Sequence, residues 1–220
     1  MKEPINYIVI PGMEHYAHVT YTWVIMLGFV VLAFALRGGY KMAPEGLQNL
    51  MEVFIHELAK FADSVMGHEG RKFFPIIGTL AMFIFCANMI GVLPGTVAPT
   101  SNLNTTLAMA LIVFFLYQFV GIYKHGFGYI KQFLGPVWWL MPLMIPVELI
   151  SHIARPVSLS MRLFGNVRGD ELVILVLGFL IPLVMPMPMI FMTMFFGLIQ
   201  TVVFVILTMV YISGALEEAH

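Results

Sequence analysis

Eight polar residues recur along one long apolar stretch toward the C-terminal end: Glu148, Ser151, His152, Arg155, Ser158, Arg162, Asn166 and Asp170. At about 100° per residue on a helix, they share an arc of about 120°. Arg168 and Glu171 fall on the other side, one turn apart, at a spacing that suits a mutual ion pair. A charge at membrane depth costs about 3 kcal/mol on insertion scales, so ionisable groups there are functional candidates by default. Glu148 and Arg155, two turns apart, suit a structural polar network as well as an ion path. His152 equally suits a satisfied histidine on a helix face. Arg162 differs from all of these. Met161, Leu163 and Phe164 flank it, and no acid lies within one turn on either side. A guanidinium does not deprotonate in a protein, so it offers a fixed charge rather than a proton relay. The expectation is a buried arginine that serves ion translocation.

A second stripe lies further on. Thr193, Gly197, Gln200, Phe204, Thr208 and Tyr211 fall within about 80° on a helix. Small residues there allow close helix approach, and Gln200 supplies amide dipoles. The plainer alternative is a packing face with one hydrogen-bonding glutamine.

Elements that cross a membrane must carry these stripes. Hydrophobic residues make up 60% of the 220-residue chain and charged residues only 10%, against about 25% charged in ordinary soluble domains. Apolar runs of about 20 residues recur, each long enough to span a bilayer core as a helix. The segments predicted to cross are 19–36, 73–93, 103–123, 138–181 and 188–213, after a polar tail over 1–18. Residues 44–66 differ. Leu47, Leu50, Met51, Phe54, Leu58, Phe61 and Val65 recur at helical spacing, with Glu45, Gln48, Glu52, His56, Lys60 and Asp63 on the other face. That pattern predicts an amphipathic helix on the membrane surface or against other helices. The fold class is therefore an all-α integral membrane protein in a single membrane domain. It has about five transmembrane helices and one amphipathic helix.

Roughly 40 residues in segment 138–181 give about 60 Å of helix, against a hydrocarbon core of about 30 Å. The segment must tilt steeply or lie partly along the interface. Arg37, Lys41, Lys60, Arg71 and Lys72 sit between the first two spans, and Lys124 and Lys131 between the third and fourth. The connections at 91–100 and 182–188 carry no charge. Basic loops face the cytoplasm, which puts the N-terminus outside and the C-terminus inside.

Several chemistries are excluded. The net charge of −1 gives nothing for nucleic acid. A lone Cys86 forms no disulfide framework. There is no GxxxxGK[ST] phosphate loop, and His56-Glu57 continues as Leu58-Ala59-Lys60, which breaks the HExxH pattern. No Cys/His cluster has metal-ligand spacing, and no GxSxG occurs. No metal or cofactor is expected, nor a cleavable signal peptide, because the first apolar run starts late after a weakly charged tail.

The stretch Pro156-Val157-Ser158-Leu159-Ser160-Met161-Arg162-Leu163-Phe164-Gly165-Asn166, followed by Gly169-Asp170-Glu171-Leu172, closely resembles the signature of subunit a of F-type ATP synthases. Residues 99–106 (PTSNLNTT), 198–201 (LIQT) and 207–213 (LTMVYIS) resemble it too. The resemblance implies the stationary part of a membrane motor in the bacterial inner membrane. Its implied partners are a rotor ring of c subunits, peripheral-stalk b subunits and the rest of the synthase. It also implies two aqueous half-channels, two long tilted helices against the ring, and Arg162 as the essential arginine. Asn166, Glu171 and Gln200 match positions lining the half-channels or near that arginine. Asn102, Asn104, Ser158, Asp170, Glu148, His152 and Arg155 are further half-channel candidates. One departure stands out. Some relatives carry a titratable group on the last helix that works with the glutamate, and the aligned residue here is Thr193. The competing reading is a self-contained secondary transporter, which would carry a midplane site between repeated halves. No internal repeat is visible. An intramembrane enzyme would need a nucleophile or metal motif, and none is present.

Overall fold

The computed structural model describes residues 17–37, 46–93, 96–126, 141–180 and 186–217, and every regular element among them is helical. The helices are α1 (Ala17–Arg37), α2 (Leu47–Gly70), α3 (Phe74–Gly91), α4 (Leu103–His125), α5 (Met141–Leu180) and α6 (Pro186–Glu217). Short 3-10 turns at Arg71–Phe73 and Pro99–Ser101 lead into α3 and α4. Most of the expected N-terminal tail, residues 44–45 and 138–140 of two expected segments, and residues 181–185 and 218–220 lie outside the described residues.

Local chemistry explains the boundaries. Asn102 is extended at the start of α4, and its side chain accepts a hydrogen bond from the Asn104 amide at 2.9 Å. That satisfies one of the donors orphaned at a helix start. Near the end of α2, Gly67 has φ 65° and ψ −168°, a conformation that suits glycine alone. The chain turns there from the amphipathic helix into the entry of α3. Pro146 and Pro156 lie inside α5. Without an N–H, Pro156 leaves the carbonyl four residues earlier, that of His152, without its helical donor.

Four helical stretches are long and apolar enough to cross a membrane: Ala17–Phe34, Arg71–Gly91, Leu103–His125 and Met187–Leu216. The 40-residue α5 is longer than any of these, and the charges of its polar arc set it apart from them. At 1.5 Å per residue α5 is about 60 Å long, twice a hydrocarbon core.

Helices α2 to α6 contribute to two apolar clusters. In one, Leu159, Leu163 and Val167 of α5 meet Ile84 of α3, Met109 and Val113 of α4 and Phe204 of α6. In the other, Ala62 and Met66 of α2 meet Ile77 of α3, Tyr117 of α4, and Met209 and Ile212 of α6. So α2 is not only a surface helix, because its far end joins the core. α1 is peripheral, with Trp23, Leu27 and Phe34 each about two-thirds exposed. Exposed large apolar side chains also cover much of α5 and α6, as expected where lipid or another membrane subunit forms the surroundings.

Candidate functional site

The polar arc of α5 does not face one environment. Its angular edge nearest the core is buried, with His152 2% exposed. Its other edge, Ser158 and Arg162, is exposed. The expectation of a buried arginine is thus corrected for this chain: Arg162 points out of the bundle. No described residue pairs with it or hydrogen-bonds to it. The physical reason is the one that made it conspicuous in sequence. Among the described residues no acid is placed to neutralise it, and an unpaired charge is costly in a packed interior. The exposed strip around it, formed by Ser158, Met161, Gly165 and Asn166, carries no other charge.

Polar groups gather on both sides of Arg162 along α5. Toward the C-terminal end of the helix, Asn166 donates from Nδ2 to Oε1 of Gln200 on α6 at 2.8 Å. Gln200 is 3% exposed, and its Nε2 has no partner among the described residues. It borders a small cavity shared with Asn88, Asn166, Asp170, Glu171 and Thr193. The space of about 20 Å³ is room for one water molecule. An orphaned buried donor beside carboxylates and amides is the setting in which buried water is found. The side-chain stripe of α6 lines the inside of the bundle: Gly197, Gln200, Phe204 and Thr208 are buried.

Glu171 lies off the arc but reaches the same cavity. Its carboxylate pairs with Arg168 at 3.0 Å. Sequence therefore left two roles open for Glu171, and the structure places it in both positions, in an ion pair and at a cavity wall. Asn102 caps α4 and contacts Nδ1 of His18 at 3.3 Å. Asn104 is exposed beside it. Neither lines the cavity.

On the other side of Arg162, Glu148, His152 and Arg155 come together. The His152 ring has Nε2 3.4 Å from Glu148 and Nδ1 3.1 Å from the Tyr117 hydroxyl. The Arg155 guanidinium lies over the rings of Tyr117 and Tyr211, 5.7 and 5.4 Å from their centroids.

Two residues of these clusters were not singled out by sequence. One is Asn88 on α3. It donates to the Gly197 carbonyl at 3.0 Å and accepts from Thr100 at 2.8 Å. The signal was available, because a lone amide in an apolar span must find a partner or lose several kcal/mol. The other is Tyr117, which reads in sequence as one more aromatic in a membrane helix.

An all-helical bundle with several membrane-spanning helices, a long charged helix, an outward-facing arginine and polar clusters on either side of it defines a multi-pass membrane protein. The family model for the ATP synthase A chain matches residues 19–213. The chain is 50% identical over 212 residues to ATP synthase subunit a 1 of Syntrophotalea carbinolica, covering 95% of this chain and 91% of that one. It is 46% identical over 202 residues to ATP synthase subunit a of Geobacter sulfurreducens, covering 92% and 88%. It is 50% identical over 204 residues to that of Syntrophobacter fumaroxidans, covering 92% and 85%. The chain belongs to the ATP synthase A chain family. As a member it is a membrane component of an ATP synthase complex.

Proposed function

We propose that this chain is the stator of the synthase membrane sector, and that Arg162 is the fixed charge against which a rotor ring of c subunits exchanges protons. The observation that carries this reading is the outward direction of Arg162, with no acid in reach among the described residues. A rotor carboxyl in lipid stays neutral, because burial disfavours its charged form. Beside Arg162 the carboxylate becomes stable, since an opposite charge lowers its pKa. The rotor site then releases its proton on one side of Arg162 and takes one up on the other. The arginine also repels any proton that would pass directly between the two sides.

The two polar clusters supply the half-channels in this reading. Asn166, Asp170, Glu171 and Gln200 serve the outer one. Glu148, His152 and Arg155 serve the inner one, with Ser158 between them and Arg162. Sidedness follows from the basic loops, with the N-terminus outside and the C-terminus in the cytoplasm of a bacterial cell. Thr193 cannot titrate near neutrality, so Asp170 or a cavity water assists Glu171. One charge moved through 100 mV yields about 2.3 kcal/mol, and several per turn drive ATP synthesis in the soluble sector. Peripheral-stalk b subunits hold the chain against rotation. A self-contained transporter would turn its key cation inward, toward its own substrate site.

The test is Arg162→Ala in the assembled synthase, read in vesicles. Coupled pumping and ATP synthesis should be lost while passive proton leak rises. Normal coupling in a fully assembled variant would refute the reading.

A further inference from the structure

We infer that Thr100, in the connection between α3 and α4, is a positioning residue of the outer half-channel: through Asn88 it holds the turn of α6 that carries Gln200. The inference rests on the half-channel reading above and adds to it two residues outside the polar arc of α5.

Pro99, Thr100 and Ser101 form a buried 3-10 turn, although connecting segments usually run over a surface. Thr100 is 0% exposed and Asn88 on α3 is 4% exposed. Polar groups buried that deeply have to be hydrogen-bonded. The Thr100 hydroxyl donates to Oδ1 of Asn88 at 2.8 Å. From Nδ2, Asn88 donates to the Gly197 carbonyl at 3.0 Å and to the Thr201 hydroxyl at 3.4 Å. The Thr201 hydroxyl in turn donates to the same carbonyl at 2.8 Å. A carbonyl only accepts, so the amide atom that faces Gly197 has to be the nitrogen, and Oδ1 is left for Thr100. The amide is thus oriented from both ends. A staple between α3 and α6 needs only the bonds to Gly197 and Thr201. What the Thr100 bond adds is the direction of the amide.

Gly197 and Thr201 bracket Gln200 on one turn of α6. The Gln200 Oε1 accepts from Asn166 at 2.8 Å, and Asn166 stands one turn beyond Arg162 on α5. The loop is therefore tied, through α3 and α6, to the level of the arginine. Asn88 and Gln200 also border the cavity shared with Asp170 and Glu171. A space of about 20 Å³, room for one water, tolerates little movement of its walls. The titratable groups there are Asp170 and Glu171 of α5, with Arg168 paired to Glu171. From α3 and α6 the cavity receives amides, Thr193 and apolar groups. From α1, His18 reaches Asn102 just past the turn. Loss of the Thr100 hydroxyl leaves the Asn88 Oδ1 a buried acceptor without its donor, which costs more than the bond itself contributes. The amide then turns, and the turn of α6 that carries Gln200 loses its hold.

The experiment measures passive proton conduction across pH in vesicles that hold the whole membrane sector, stripped of the soluble sector, with assembly checked by co-purification of the rotor ring. Thr100→Val keeps the shape and removes the hydroxyl. It should assemble, yet conduct on the order of 10-fold more slowly, within the 100-fold that a displacement of about 1 Å can cost. The midpoint of its pH profile should move upward, because a displaced Gln200 amide no longer favours the charged carboxylates at the cavity. Thr100→Ser keeps the hydroxyl and should restore most of the rate and the parent midpoint. Thr100→Val combined with Gln200→Leu should be no worse than Gln200→Leu alone, since one residue acts through the other. Parent-like rate and midpoint in assembled Thr100→Val would overturn the inference. So would a serine variant as slow as valine, or additive losses in the double variant. Thr100→Ala, which is smaller and cannot clash, is read in the same way. Failure of both valine and alanine variants to assemble would make the hydroxyl purely structural and also overturn the inference. If Arg162→Ala still couples, the half-channel reading itself fails. If Arg162→Ala loses coupling and Thr100→Val behaves as the parent, the positioning role alone fails.

Discussion

Asn166 and Gln200, 34 residues apart in sequence, are joined by a single 2.8 Å hydrogen bond that ties α5 to α6 one turn from Arg162. It fixes the register of the two helices at the level where the arginine faces outward. It also commits the Gln200 carbonyl, while the Gln200 Nε2 stays without a partner among the described residues beside the small shared cavity.

This bond is expected to hold the register and not to carry the whole assembly. Intramembrane side-chain hydrogen bonds average about 0.6 kcal/mol and reach about 1.7 kcal/mol. Asn166→Leu and Gln200→Leu should each lower coupled pumping, and the double variant should lose less than the sum. A double-mutant cycle on proton pumping tests this, and fully additive losses would show that the two side chains act separately.

Glu171 and Arg168 separate a structural role from a functional one. The Arg168 side chain is 52% exposed, so their ion pair contributes about 1 kcal/mol at most. Arg168→Gln should therefore assemble and conduct nearly as the parent. Glu171→Gln should assemble normally yet slow proton flow and alter its pH dependence. Equal, small effects from both would reduce Glu171 to a partner of Arg168.

Gly197 allows α3 and α6 to approach closely. A Cβ there would lie 3.2 Å from the Asn88 Cβ and 3.4 Å from the end of Met89. Gly197→Ala requires a shift of a few tenths of an ångström and should be tolerated in part. Gly197→Leu overpacks the contact, at about 1–3 kcal/mol, and breaks the Asn88 bond to the Gly197 carbonyl. Thermal stability of the purified complex in mild detergent should fall for leucine and much less for alanine. Equal stability of the two would rule out a close approach at this point.

Topology can be read with single cysteines in a chain whose Cys86 is replaced. Leu93 is 58% exposed beyond α3, and Lys124 is exposed in the last turn of α4. An impermeant thiol reagent should mark Leu93→Cys from outside and Lys124→Cys from inside. Labelling of both from one side would contradict the orientation drawn from the basic loops.

Much of this protein is decided by local properties that a sequence displays. Membrane-spanning length needs only uninterrupted apolarity, and the helical period of 3.6 puts Glu148 through Asp170 on one arc whatever surrounds them. The isolation of Arg162 is likewise local, because no acid stands within a turn. The all-helical fold follows from the same facts, since a bilayer leaves a lone segment no other way to satisfy its backbone. What each angle of a helix meets is not local, and only the packed bundle decided it. Leu159, Leu163 and Val167 took the core side of α5, so His152 went inward and Arg162 outward from one stripe. Gln200 met Asn166, and Asn88 met Gly197 and Thr100, because α3, α5 and α6 cross where small residues let them. The pairing of Tyr117 with His152 depends on α4 lying beside α5, a contact between residues 35 apart. Burial and partnership belong to the neighbour that covers a side chain, and a single helix period carries no record of that neighbour.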